Sequence, residues 1–128
     1  MPAVKRNRPI NLPLSQVISV NRSPIAIASI LHRISGIVLF LLIPVMLWLL
    51  QNSLASPESF ETVFDNVFIR FLAWIFVAAI AYHFVMGVKH LFADNGQNEE
   101  LQSARMASVV SLVIAAILIV ASFVWVMF

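Results

Sequence analysis

Three long apolar segments dominate the sequence: about Ile25 to Leu50, about Val67 to Phe92 and about Met106 to Phe128. Each exceeds the roughly 20 residues a helix needs to cross a hydrocarbon core about 30 Å thick. A helix satisfies its own backbone polar groups in lipid, where an open strand or loop does not. Composition agrees, with 61% hydrophobic and 11% charged residues where soluble domains average about 45–50% and about 25%. A chain of 128 residues builds no core large enough to bury that surface, so lipid or partner subunits must cover it. The expected fold class is all-α integral membrane, three transmembrane helices forming part of a heteromeric helical bundle.

Lysine and arginine set the expected orientation. Lys5, Arg6, Arg8, Arg22 and Arg33 precede or enter the first span, and Lys89 and Arg105 flank the second loop. The first loop, Gln51 to Asn66, has neither residue type and carries Glu58, Glu61 and Asp65. The positive-inside rule then places residues 1–24, an N-terminal segment, and the second loop in the cytoplasm, with the C-terminus outside. Residues 25–128 form one membrane domain. The stretch from Asn11 to Ser23 is mixed and polar, without a compact apolar run and cleavage pattern, so no cleaved signal peptide is expected. The formal charge of +2 gives no indication of nucleic-acid binding. With no cysteine, the chain offers no disulfide, thiolate metal site, iron–sulfur ligation or covalent haem attachment.

Smaller features refine the spans. Pro44 removes one backbone hydrogen bond within the first and predicts a kink. Trp48, Trp74 and Trp125 lie toward span ends, as an interfacial aromatic belt would place them. Ser56-Pro57 reads as a helix cap followed by proline at the first helical position. Phe60, Val63, Phe64, Val67 and Phe68 then recur at helical spacing, predicting a short helix leading into the second span. The third span, with Ser108, Ser111 and Ser122 as its polar residues, reads as a packing or lipid-facing helix.

Polar groups at membrane depth are costly and by default face a cavity, cofactor or partner. Two clusters stand out. Ser29, Arg33 and Gly36 share one side of the first span with His32 adjacent, and His83, Gly87 and His90 share one side of the second. Span one starts, and span two ends, on the same side of the membrane, so the clusters occupy the same half of the bilayer. If span two leaves the hydrocarbon near His90, His83 lies about 10 Å inside at ~1.5 Å per residue.

His83 reads either as an axial ligand to haem iron or as a histidine bonded to a backbone carbonyl or neighbouring helix. Arg33 either pairs with a propionate or a quinone oxygen, or snorkels to lipid phosphate. His32 allows the same two readings. Ser29 either donates to a quinone oxygen or bonds back to its own helix. His90, beside Lys89, is the weakest candidate, at the interface where solvated side chains are common. No second histidine sits at comparable depth, so a six-coordinate haem needs a ligand from another subunit.

The stretches Arg8-Pro-Ile-Asn-Leu12, Ile25 to Gly36 (with Ser-Ile-Leu-His-Arg-Ile-Ser-Gly at its end), Ser56-Pro-Glu58, and Ala81-Tyr-His83 through Gly87 to His90 closely resemble the cytochrome b membrane-anchor subunits of bacterial succinate dehydrogenase, respiratory complex II. The similarity covers nearly the whole chain and is looser beyond Asn95. The resemblance implies that residues 25–128 are a membrane anchor domain in a bacterial inner membrane. It implies His83 as one axial ligand of a haem b whose other ligand comes from a second small anchor subunit. It places Ser29 and Arg33 in the ubiquinone site near the iron–sulfur subunit, and His32 and Arg33 close to the haem propionates. FAD and the iron–sulfur clusters belong to the flavoprotein and iron–sulfur subunits, and the anchor itself is not the succinate-oxidising part. Two rival readings are the anchor of a fumarate reductase and a haem-free scaffold or transporter subunit with His83 as helix glue.

Overall fold

The computed structural model describes residues 13–128. Lys5, Arg6, Arg8 and the stretch Arg8 to Leu12 lie outside the described residues. Five helices follow one another: α1 (Leu14–Val20), α2 (Pro24–Ser53), α3 (Pro57–Asp65), α4 (Val67–Asp94) and α5 (Leu101–Met127). Helices α2, α4 and α5 are the three long apolar spans, so the chain is an all-α, multi-pass membrane protein.

The ends of the elements follow local chemistry. The Ser23 hydroxyl accepts from the Ala26 N–H at 3.2 Å and Pro24 takes the first helical position. This cap starts α2 one residue before the apolar run itself. Ser56 caps α3 in the same way, accepting from the Ser59 N–H at 3.0 Å ahead of Pro57. Asn66 has extended backbone and its side chain accepts from the Phe68 N–H at 2.9 Å. That residue separates α3 from α4, and the short helix expected before the second span is present.

At the other end of α4, the Gln97 N–H reaches the Phe92 carbonyl and the Gly96 N–H reaches that of Ala93. This is a Schellman closure, and it requires the positive φ of +80° that Gly96 supplies. Pro44 lies inside α2 without ending it. The seven-residue α1 falls in the stretch read as mixed and polar; Asn21 closes it by donating its side-chain amide to the Val17 carbonyl.

α4 returns alongside α2, and α5 runs back along α4, its most extensive partner. Ala28, Tyr82, Met86 and Ala115 form the buried centre, with Val85, Leu112 and Ile119 packed against it. Lipid is as apolar as leucine, so the alanines serve by letting backbones approach closely rather than by leaving water. Only 11% of each span's most apolar stretch is buried within the chain. The spans are apolar all round, and their remaining surface needs lipid or other subunits.

Trp48 and Trp125 are exposed near span ends, as an aromatic belt requires. Trp74 turns onto α5: its indole N–H donates to the Ile119 carbonyl at 3.2 Å and its ring meets Phe123 edge-on. Near the same end, Arg70 donates to the Met127 carbonyl at 3.3 Å, placing a cation at the C-terminus of α5, where the helix dipole favours it.

Candidate functional site

The two polar clusters meet, through residues partly different from those the spacing singled out. The stripe Ala28, His32, Ser35 runs down the side of α2 that faces α4. Ala28 accepts a hydrogen bond from the Tyr82 hydroxyl at 3.1 Å, which fixes the register between the helices. One turn further along, the imidazoles of His32 and His83 stack, centroids 4.1 Å apart and planes 14° from parallel. His32 therefore lies at the depth of His83, against the expectation that no second histidine does; the Tyr82–Ala28 bond sets the helix register that brings them level. His90 tilts against the other end of this ladder, its centroid 5.1 Å from that of His32.

The glycines in these stripes have specific neighbours. A Cβ on Gly36 would lie 3.2 Å from Cε1 of His83, and one on Gly87 would lie 3.9 Å from Nε2 of His32. Gly36 therefore lets the His83 ring lie against the α2 backbone. Gly87 stands in ordinary contact range and constrains less.

The contacts of His83 are all satisfied by one tautomer. Nδ1 lies 3.2 Å from the His32 carbonyl oxygen and 2.9 Å from the Ser35 hydroxyl. A carbonyl only accepts, so the proton of that bond resides on Nδ1. The Ser35 hydroxyl donates its own proton to the same carbonyl at 2.7 Å and therefore accepts from Nδ1–H. Nε2 of His83 has no hydrogen-bond partner among the described residues and is not buried. Its lone pair is available to a metal ion or a hydrogen-bond donor outside the chain. A metal-bound histidine characteristically holds its other ring N–H on a carbonyl or similar acceptor in this way.

These features test whether a haem fits. Among the described residues no group of three or more potential metal-ligating side chains assembles. A metal here would bring most of its own donors, as a haem does, and need one imidazole from this chain. Nε2 of His32 is buried without a partner among the described residues, a polar atom that a bound group could satisfy. The residues present fit a haem reached by His83.

Ser29 and Arg33 sit on the neighbouring stripe of α2, the one that carries Gly36, and neither contacts the His32–His83 stack through a hydrogen bond among the described residues. Arg33 is exposed and Ser29 half-buried. Of the serines in α2, Ser35 and Ser53 bond back to carbonyls of their own helix; Ser29 makes no such bond. Its hydroxyl is free of the structural role expected of a helical serine. The site is an open face of the α2–α4 pair, not an enclosed cavity. A cavity of about 770 Å³ lies on the other flank of α4, lined by residues such as Phe84, Val88, Lys89 and Met106, and contains none of the histidines.

One contributor, Ser35, is not singled out by the spacing, and the partner of Tyr82 is not either. Ser35 was visible only as a letter in the Ser-Gly pair after His32-Arg33, and its partner is 48 positions away. Tyr82 stood beside His83, but the carbonyl it bonds is a backbone atom of no distinctive residue.

Comparison with known proteins agrees with this architecture. Residues 5–122 match the family described as succinate dehydrogenase/fumarate reductase transmembrane subunit. The succinate dehydrogenase cytochrome b556 subunit of Coxiella burnetii (strain RSA 493 / Nine Mile phase I) is 38% identical over 123 residues, covering 93% of this chain and 96% of that protein. The cytochrome b556 subunit of succinate dehydrogenase from Paracoccus denitrificans is 34% identical over 124 residues, covering 90% and 95%. A match along almost the whole length on both sides is a match of the entire three-span unit, and the chain belongs to the succinate dehydrogenase/fumarate reductase transmembrane subunit family.

Proposed function

We propose that this chain is the cytochrome b membrane anchor of a succinate dehydrogenase, holding a flavoprotein and an iron–sulfur subunit at the cytoplasmic face of a bacterial inner membrane. In this reading it shares a haem b with a second small anchor subunit and supplies part of the site where ubiquinone is reduced. The observation that carries the proposal is the state of His83: Nδ1–H held by the His32 carbonyl and Ser35, Nε2 left free. Haem, when bound, supplies a one-electron carrier close to the quinone site.

The chain's own residues position and polarise. His83 would present Nε2 to the iron from a ring held on three sides, by the His32 ring, the His32 carbonyl with Ser35, and the Gly36 backbone. His32, whose buried Nε2 has no partner among the described residues, would stand beside the bound group, with His90 extending that wall. Arg33, exposed and without an ion-pair partner among the described residues, would offer its guanidinium to a propionate or a quinone oxygen, and Ser29, one turn away, its hydroxyl. FAD and iron–sulfur clusters reside in the partner subunits. The relatives named for succinate dehydrogenase favour succinate oxidation over the fumarate-reducing direction.

Activity assays on the purified complex test this assignment. Arg33→Leu is expected to lower succinate-dependent quinone reduction about tenfold or more, the scale of losing one charge-assisted hydrogen bond of about 1.5–3 kcal/mol. Succinate oxidation with a soluble artificial acceptor should stay near wild type. Equal loss of both activities would refute the quinone-site role of Arg33.

A further inference from the structure

The geometry points to Ser35 as a positioning residue that tunes the reduction potential of a haem bound at His83, an inference resting on the haem-ligand reading of that histidine. Ser35 is buried, at 7% exposure, in a span whose surroundings are apolar. A hydroxyl there needs only one partner, and the ordinary back-bond to the His32 carbonyl already provides it. Its second contact, 2.9 Å to Nδ1 of His83, is therefore additional to what helix packing requires.

Proton accounting gives that contact one direction in which all three polar atoms are satisfied together. Three polar atoms, the His32 carbonyl oxygen, Ser35 Oγ and His83 Nδ1, lie mutually within 2.7 to 3.2 Å. One proton on Oγ and one on Nδ1 satisfy all three contacts. If Nδ1 carried no proton, it would face the carbonyl oxygen with nothing between them, because the single hydroxyl proton cannot serve both. Nδ1–H thus divides its proton between two acceptors, and the shorter contact is to serine. The polarity of the neighbouring Ser35-Gly36 pair is matched by its shape: Gly36 has no Cβ to press on Cε1, so the ring settles where Oγ can reach Nδ1.

Accepting from the distal N–H of a metal-bound imidazole raises its basicity and fixes its rotation about the metal bond. A more basic imidazole stabilises the ferric over the ferrous state, so Ser35 lowers the potential of the haem. The bond is to the neutral hydroxyl of one side chain, which a conservative substitution can keep or delete. Threonine retains a hydroxyl able to bond the same i−3 carbonyl, whereas valine keeps the shape and loses the oxygen.

The test compares Ser35→Ala, Ser35→Thr, Ser35→Val and His83→Ala in the full purified complex. The readouts are haem content, the midpoint potential of the b haem by redox titration, and its low-spin ferric resonance signal. Ser35→Thr should match wild type. Ser35→Val and Ser35→Ala should favour the ferrous form three- to tenfold, an upward shift of about 30–60 mV for a one-electron couple, with an altered ferric signal. Equal potentials in the threonine and valine variants would overturn the role of the hydroxyl. Assembly of the threonine variant with failure of the valine variant would also overturn it, assigning the oxygen to folding. A b-type band that survives His83→Ala would instead remove the ligand reading itself, a result distinct from either.

Discussion

The His32 and His83 imidazoles lie stacked at 4.1 Å and 14°, while the backbone carbonyl of His32 holds the Nδ1 proton of His83. One residue thus supports the other by two independent means, a ring and a carbonyl, and only the first is encoded in its side chain. His32→Ala removes the stack and leaves the carbonyl. An aromatic stack contributes about 0.5–1.5 kcal/mol beyond area burial, so His32→Ala should release haem about two- to tenfold faster in a thermal-loss assay while retaining a b-type spectrum. Complete loss of haem would mean that the His32 ring does more than support.

Gly36 and Gly87 make opposite predictions despite similar positions in the sequence. A methyl at 36 must displace the His83 ring by a few tenths of an ångström, since its Cβ would sit 3.2 Å from Cε1. Overpacking of this kind costs about 1–3 kcal/mol. Gly36→Ala should therefore lower haem occupancy and shift the ferric resonance signal. Gly87→Ala, with a Cβ at 3.9 Å from His32, should leave both unchanged. Matching phenotypes in the two variants would contradict the assignment of Gly36 as the seat of the His83 ring.

Tyr82→Phe isolates the hydrogen bond that sets the α2–α4 register. Ala28 oxygen is bonded within its helix as well, so losing the Tyr82 hydroxyl strands no acceptor. Interhelical hydrogen bonds in membranes average about 0.6 kcal/mol and reach about 1.7. Tyr82→Phe should lower the thermal stability of the complex by a few degrees and leave the haem spectrum intact, as differential scanning and absorbance would record. A lost haem band would mean that the bond aligns His32 with His83 more tightly than its energy suggests.

Much of the architecture was legible in the residues, because lipid leaves a chain few choices. Span number followed from apolar length, and the start of α3 from Ser56-Pro57. Boundaries drifted outward where polar residues extended helices past their apolar runs: α2 reaches Ser53, α4 reaches Asp94 and α5 begins at Leu101. The position of Trp74 toward a span end says nothing about which way its indole turns, which is onto α5.

At the site, His83, His32 and the glycines were identifiable as a costly polar group with room beside it. The choice of stripe was not. Ser29, Arg33 and Gly36 satisfy helical spacing as well as Ala28, His32 and Ser35 do. The packing of α4, with Tyr82 on a backbone carbonyl, turns inward Ala28, His32 and Ser35 together with Gly36 of the other stripe, which spacing alone does not predict. A sequence displays side chains, and here the decisive partners are main-chain oxygens.

The central claim is that His83 offers Nε2 to a haem iron, and a reduced-minus-oxidised absorbance spectrum of the purified complex tests it most directly. Wild type should show a b-type band, and His83→Ala should abolish or strongly diminish it while the flavoprotein and iron–sulfur subunits remain attached. A band of undiminished intensity in an intact His83→Ala complex would contradict the account.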